Sequence, residues 1–309
     1  MLNPPLHYFA EVVECGSIRL AADRLQIAPS AISRQIMLLE AELGVTLLFR
    51  NRSGVALTEP GRRVLEFIVS SRRDSEQLRS ALDDLSGLRR GRVVLATVEA
   101  MIGRVLPHAI SAFNNKFPGV ELEVRILGTH QVSEAVIREN ADIGIALEPP
   151  LRSELFLRMR WPQPLQAITR PRHTLTAFAS ALTLTQTLSY PHVLPDRSYG
   201  IRSVLERAAS KCGAKINPFL QTNSLDAAKS VVAISDAVTV LPPEVVVREL
   251  ANGTLIAIPI QDRLLASTTI DIITLRTKPL TKAAEMFLTF LRRAMTDHKV
   301  GRGKSSRPR

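Results

Sequence analysis

Apolar positions in the first sixty residues fall at helical spacing. Leu6, Phe9, Val12 and Val13 make one stripe of a first helix. Gly16 is placed to end that helix in a left-handed C-cap. Ser17 can cap the next helix by accepting a backbone N–H bond. That second helix carries Ala21 and Ala22, small residues where two helices cross closely, and Leu25 and Ile27 close the turn after it. Pro29 opens a third helix, tolerated in a first turn because its missing N–H had no partner there. Ile32, Ile36, Leu39 and Leu43 follow at i, i+4, i+7 and i+11 and predict an inner face. Ser30, Ser33, Arg34 and Met37 fall on the opposite face.

The residue types on that outer face suit nucleic acid. Serine hydroxyls bond phosphates or bases, an arginine reads guanine with two parallel bonds, and a helix N-terminus favours a phosphate. A plain amphipathic helix with a solvated face would show the same spacing. The stretch 47–58 (LLFRNRSGVALT) reads as two short strands around a basic, glycine-containing turn. Such a wing can set Arg50, Arg52 or Ser53 against DNA backbone or minor groove. Thr58-Glu59-Pro60-Gly61 then starts a long helix predicted to run to about Leu88. Val64, Ile68, Ser71, Ser75, Leu78, Leu82 and Leu85 alternate four- and three-residue steps, the seam of a coiled coil, unless the helix packs on its own protein. Arg89-Arg90-Gly91 reads as a hinge.

Helix-turn-helix plus wing resembles the LysR-type transcriptional regulators. The resemblance is carried by Phe9, Gly16-Ser17, Ala21-Ala22, Leu25, Ser33-Arg34-Gln35-Ile36, Leu39-Glu40, Leu43-Gly44, Leu47, Arg50, Leu57-Thr58 and Gly61. Ile18 and Leu48 depart from it, each standing where the family usually has phenylalanine. The resemblance implies promoter DNA contacts from Ser17, Arg19, Pro29, Ser30, Ser33, Arg34, Met37, Arg50, Arg52 and Ser53. It also implies dimers formed through the long helix, their pairing into tetramers, and a contact with RNA polymerase.

From Arg92 the pattern becomes alternating strands and helices, which predicts a parallel α/β sheet. Residues 92–97, 120–127 and 142–147 read as strands, and Leu106, Ile110, Phe113 and Phe117 mark a helix ended by Pro118-Gly119. An internal echo follows. Residues 126–132, a helix and 141–145 correspond to 219–225, a helix and 235–239, each a strand, a polar turn with threonine, a helix, an aspartate and a strand. Such pairs are expected of two similar lobes facing each other across a cleft. Ligands of open α/β sheets sit at strand carboxyl ends beside helix N-termini. The candidate effector residues are Thr97, Val98, Gly128, Thr129, Ser198, Thr222 and Ser224, with hydroxyls and backbone N–H groups suited to a small anion, although each taken singly suits helix capping equally. The LysR resemblance is looser here, resting on Asp142-Ile143-Gly144, Leu241-Pro242 and Asn252-Gly253-Thr254-Leu255, and implies an effector domain similar to periplasmic binding proteins. Ser235-Asp236-Ala237 departs from it, standing where the family has a glycine-rich turn.

The fold class expected is therefore multi-domain α+β. A winged helix-turn-helix spans 1–59, a dimerisation helix 60–90 and an α/β two-lobed effector domain 91–298, with lobe I at about 91–163 and 268–298 and lobe II at about 164–267. A basic disordered tail, 299–309, follows.

Length and charge adjust this picture only at the edges. The 309 residues suffice for about two domains, and 45% hydrophobic with 22% charged is ordinary for a globular protein. The net charge of +11 is uneven: Arg292, Arg293, Lys299, Arg302, Lys304, Arg307 and Arg309 face Asp297 alone. Overall basicity is thus a poor argument for specific DNA reading. With no bilayer-length apolar run, no basic-then-apolar leader, and only Cys15 and Cys212 far apart, the expectation is a cytoplasmic protein without a structural disulfide or a membrane partner. His7, His108, His130, His173, His192 and His298 are scattered, and no metal-ligand spacing, Gly-x-Ser-x-Gly elbow or phosphate loop appears. The expectation is a ligand-responsive regulator with no cofactor and no enzymatic activity. A constitutive regulator without effector response and a cytoplasmic small-molecule-binding protein are the alternatives.

Overall fold

The computed structural model describes residues 3–51, 54–83, 90–150, 152–177 and 181–302. The chain divides into two compact units, Met1–Leu82 and Asp83–Arg309.

The first unit is built from α1 (Pro4–Cys15), α2 (Ile18–Leu25), α3 (Pro29–Leu43), the antiparallel pair β1 (Leu48–Asn51) and β2 (Gly54–Leu57), and α4 (Glu59–Asp83). Phe9, Val12, Ala21, Ala22, Ile32, Ile36, Leu39, Leu47 and Ile68 close one apolar core. Each large side chain fully removed from water there stabilises by roughly 1.5–3 kcal/mol. Gly16 ends α1 with φ 66°, a left-handed turn that glycine enters without strain. Its carbonyl then accepts from Val55 N–H at 3.1 Å, which docks the wing on the α1–α2 corner. Glu40, from the last turn of α3, accepts from Leu47 N and Leu48 N at 2.7 and 3.2 Å and sets where β1 begins. The Thr58 hydroxyl accepts from Gly61 N at 3.0 Å and donates to Thr46 O at 2.7 Å, so α4 starts from the end of the wing.

Three expectations change here. The Ser17 side chain makes no cap bond to α2. Leu43 is 45% exposed, because it closes α3 one residue before the left-handed Gly44 and the core has already ended at Leu39. Ile68 is fully buried in this unit's own core, with Val64 and Leu65 packed against it, so the first part of the coiled-coil seam is an intradomain face. Phe67, one position earlier, is 59% exposed. The side chains of Leu78 and Leu82, and the whole of Leu85 and Arg89, lie outside the described residues.

The second unit holds two lobes. Lobe I contains β3 (Gly91–Thr97), α5 (Val105–Lys116), β4 (Val120–Ile126), α6 (Thr129–Ile137), β5 (Ile143–Leu147) and β6 (Leu155–Pro162). The chain then enters lobe II: β7 (Gln166–Thr169), α7 (Leu184–Leu188), β8 (Val193–Pro195), α8 (Gly200–Lys211), β9 (Leu220–Thr222), α9 (Leu225–Ile234), β10 (Thr239–Leu241), α10 (Val247–Ala251), β11 (Ile256–Pro259) and α11 (Arg263–Ala266). It returns to lobe I through β12 (Thr269–Leu275) and ends in α12 (Lys282–Arg302), whose last turn takes in residues 299–302 that the sequence suggested were tail.

The lobe I sheet runs β4-β3-β5-β12-β6. β3 is parallel to β4 and β5, but β12 is antiparallel to both β5 and β6, so the sheet is mixed rather than parallel. Lobe II repeats the order. β9 is parallel to β8, a parallel bridge from His192 to Val238 leads on to β10, and β10-β7-β11 is antiparallel. The strand–helix–strand echo read in the sequence is thus β4-α6-β5 against β9-α9-β10. Two crossings join the lobes, and they are bonded to each other: Gln163 N donates to Thr268 O at 2.8 Å and Leu165 N to Leu265 O at 2.9 Å. Phe113 of α5 meets Phe287 and Phe290 of α12 edge-on at 5.3 and 5.5 Å, which ties the returning helix to lobe I.

Candidate nucleic-acid interface and effector cleft

The outer face of α3 stands in solvent. Ser30 and Arg34 are exposed, Met37 is 52% exposed and Ser33 is half-buried, while Ile32, Ile36 and Leu39 anchor the helix from behind. No side chain caps the N-terminus of α3, where Ala28 is the N-cap and Pro29 the first residue. The N-terminus of α2, with half-buried Ser17 and exposed Arg19, also has no side-chain cap. Both helix ends therefore keep backbone donors and a partial positive charge for an outside anion.

In the second unit, the carboxyl ends of β3, β5, β8 and β9 converge on a cleft between the lobes. Thr129 N, at the start of α6, donates to Ser198 O at 2.9 Å. The Thr129 hydroxyl accepts from Gly200 N at 3.0 Å and donates to Leu147 O at 3.4 Å. The approach is tight enough that a Cβ on Gly128 would lie 2.7 Å from Ser198 O, so only glycine fits. Glu99, in a 3₁₀ turn after β3, reaches across to lobe II. Its carboxylate accepts from Leu225 N, the first amide of α9, at 3.1 Å, and from the Tyr199 hydroxyl at 2.7 Å. Tyr199 also lies 2.8 Å from Asn223 O. Burial first, and then the neighbouring Glu99 carboxylate, push the Tyr199 pKa up, so it is a phenol donor at any physiological pH. Deeper in, Met101, Arg104, Trp161, Gln163, Pro242 and Glu244 line a cavity of about 10 Å³. Gln163 is 1% exposed, and its Nε2 finds no partner among the described residues.

Comparison with known proteins matches both units. Residues 5–62 fit the family described as bacterial regulatory helix-turn-helix protein, lysR family, and residues 86–296 fit the LysR substrate binding domain. The chain belongs to the LysR family. It is a LysR-type transcriptional regulator with an effector-binding domain. Among curated relatives, the HTH-type transcriptional activator CmpR of Synechocystis sp. is 26% identical across 94% of this chain and 96% of its own. The regulator SsuR of Burkholderia cenocepacia is 28% identical, covering 80% of each. Full-length CbnR, solved with its target DNA, has the same fold at TM-score 0.70 and 20% identity, covering 95% of this chain and all of its own.

In this LysR regulator the residues expected to face DNA divide cleanly. Ser17, Arg19, Pro29, Ser30, Ser33, Arg34 and Met37 share the open ends and outer face of α2 and α3. Arg50 lies on β1 with a side chain outside the described residues, as do Arg52 and Ser53 entirely. The expected effector residues are gathered at the cleft, but several are already engaged. Thr97 is fully buried, and its hydroxyl donates to Val98 O. Thr129 stitches the lobes together as above. Ser198 is exposed and donates to Asp196 at 2.6 Å. Thr222 accepts from Ser224 N, and Ser224 caps α9 through Ala227 N at 3.3 Å. The Ser235-Asp236 turn replaces glycine with side-chain bonds. Ser235 donates to Val231 O and accepts from Ala237 N, while Arg170 pairs with Asp236 at 2.6 Å and holds its carboxyl below the usual range.

Glu99, Tyr199 and Gln163 carried no signal in the sequence. Glu99 bonds a residue 126 positions away, and no local pattern encodes that contact. Among the described residues no cluster of His, Cys, Asp and Glu is arranged to hold a metal, and no helix is long and apolar enough to cross a membrane.

Proposed function

We propose that α3 reads promoter DNA in the major groove through Ser30, Ser33, Arg34 and Met37. Pro29, Ser17 and Arg19 set the open helix ends against phosphates, and Arg50, Arg52 and Ser53 place the wing alongside. The observation that carries this reading is the solvent-facing Ser30–Arg34–Met37 surface, held rigidly by three buried residues of the same helix. A second copy, docked through α4, presents the same face one helical turn further along the duplex. The exposed Phe67 is an apolar contact that α4 offers such a partner. Dimers pair into tetramers that meet RNA polymerase at the promoter.

The interlobe cleft receives a small-molecule effector. Binding shifts lobe geometry and so the spacing of the DNA contacts, provided the ligand binds the two states unequally. A gel-shift on DNA upstream of the regulator's own gene tests the reading, with Arg34→Ala expected to lose discrimination against unrelated DNA. If Arg34→Ala keeps wild-type affinity and specificity, α3 is not the reading helix. A constitutive regulator would show the same gel-shift but no thermal stabilisation by any metabolite.

A further inference from the structure

The N-terminus of α9 is the place in this cleft best suited to an acidic ligand, and a side chain of the protein already holds it. Ser224 caps the Ala227 amide, and the Leu225 amide is a donor that reaches into the cleft. That donor goes to Glu99, which comes from the other lobe. The Tyr199 hydroxyl aims at the same carboxylate. Both donors belong to lobe II and the acceptor to lobe I, so the contact spans the cleft rather than bracing one side of it.

The surroundings are unfavourable to a second carboxylate. Asp226 and Asp196 flank the same corner, one in the first turn of α9 and the other three residues before Tyr199. Lys229 answers Asp226 at 2.7 Å but is shared with Glu249 at 2.9 Å. Like charges brought together in a partly buried site disfavour one another.

We propose that Glu99 is the tethered anion of the interlobe cleft. It takes the position of a ligand carboxylate at the amino end of α9, latches the lobes without any ligand, and bars free carboxylates from that position. This rests on the reading of the cleft as the effector site. It narrows the effector class: the ligand is not recognised there through a carboxylate, and it acts by releasing or replacing the Glu99 contact.

The test is chemical rescue on the full-length protein. Thermal unfolding and amide exchange are followed for wild type, Glu99→Ala and Glu99→Ala/Tyr199→Phe, in sodium acetate and in sodium chloride at equal ionic strength. Glu99→Ala is expected to melt roughly 2–6 °C lower, with faster exchange at Leu225. Acetate should recover at least half of that shift and slow Leu225 again. Wild type should respond to acetate no more than to chloride, and the double variant should lose the recovery. Should Glu99→Ala fail to fold, Glu99→Gln serves instead. Its amide oxygen still accepts from Leu225 and fills the place, so it is expected to melt below wild type and ignore acetate. An unchanged midpoint and unchanged Leu225 exchange in Glu99→Ala overturns the proposal, as does equal acetate stabilisation of wild type and variant. These readouts involve no DNA, so they stand or fall apart from the gel-shift.

Discussion

The amino ends of α3 and α9 pose the same problem and receive opposite answers. Each helix starts with backbone donors that lack intrahelical partners and carry partial positive charge. At α9 the protein supplies two acceptors: Ser224 takes one amide and the Glu99 carboxylate another. At α3 it supplies no side-chain cap, and the first residue is a proline with nothing to donate. An occupied end is an internal joint, whereas an open end is a place for an outside anion. The difference separates the surface proposed to meet DNA from a cleft bridged by the protein's own groups.

Five substitutions or titrations sharpen this contrast. The largest effect is expected from Ile36→Ala, which removes a fully buried anchor behind the α3 face. It should cost the first unit roughly 2–5 kcal/mol in denaturant unfolding and lower DNA affinity indirectly, while Leu225 exchange in the second unit stays as in wild type. Arg34→Ala leaves folding alone and should cost about 1–3 kcal/mol of specific binding, read by competition gel-shift at fixed salt. If stability falls as much as binding, the outer face is structural. Next come the two serines. Ser224→Ala deletes a cap that is made, and should destabilise by about 1 kcal/mol, whereas Ser17→Ala deletes one that is not made and should leave unfolding unchanged. Ser17→Ala should instead weaken DNA binding without changing its salt slope, since it removes a hydrogen bond and no charge, if that end meets phosphate.

The smallest effect concerns His192, buried beside β8, where desolvation lowers its pKa. A depressed folded pKa means the unfolded chain takes up the proton first. The contribution of His192 is therefore fully present above about 6.5, and it is lost as pH falls from there through the lower folded value. The midpoint of wild type should drop below that pH more than the midpoint of His192→Gln.

Much of the first unit was legible in sequence because its contacts are local. Gly16, Pro29 and Thr58 mark element ends through their own backbone preferences, and Ile32, Ile36 and Leu39 repeat at the helical period. Only the first part of the seam differs, because Val64 and Ile68 would show the same spacing in a coiled coil and on their own domain, as the structure has them. In lobe II the strands β8, β9 and β10 are three residues each, too short for alternation to show. The antiparallel β12 was invisible for another reason. Its partners β5 and β6 lie more than a hundred residues earlier, and nothing in Thr269–Leu275 says on which side of the sheet it enters. The hydroxyls expected at the cleft are engaged in hydrogen bonds of the fold, and polar groups that bridge the lobes came from unmarked positions such as Glu99.

The late return of the chain to lobe I has a consequence for synthesis. β12 sits between β5 and β6, so until it emerges those two strands have no common neighbour and the lobe I sheet lacks the strand that joins β6 to it. The nascent chain must make all of lobe II while holding β3, β4, β5 and β6 unfinished, with backbone groups that template stray pairing. A ribosome stalled before Thr269 would thus carry a protein with the DNA-reading unit complete and the sensing unit still half-built.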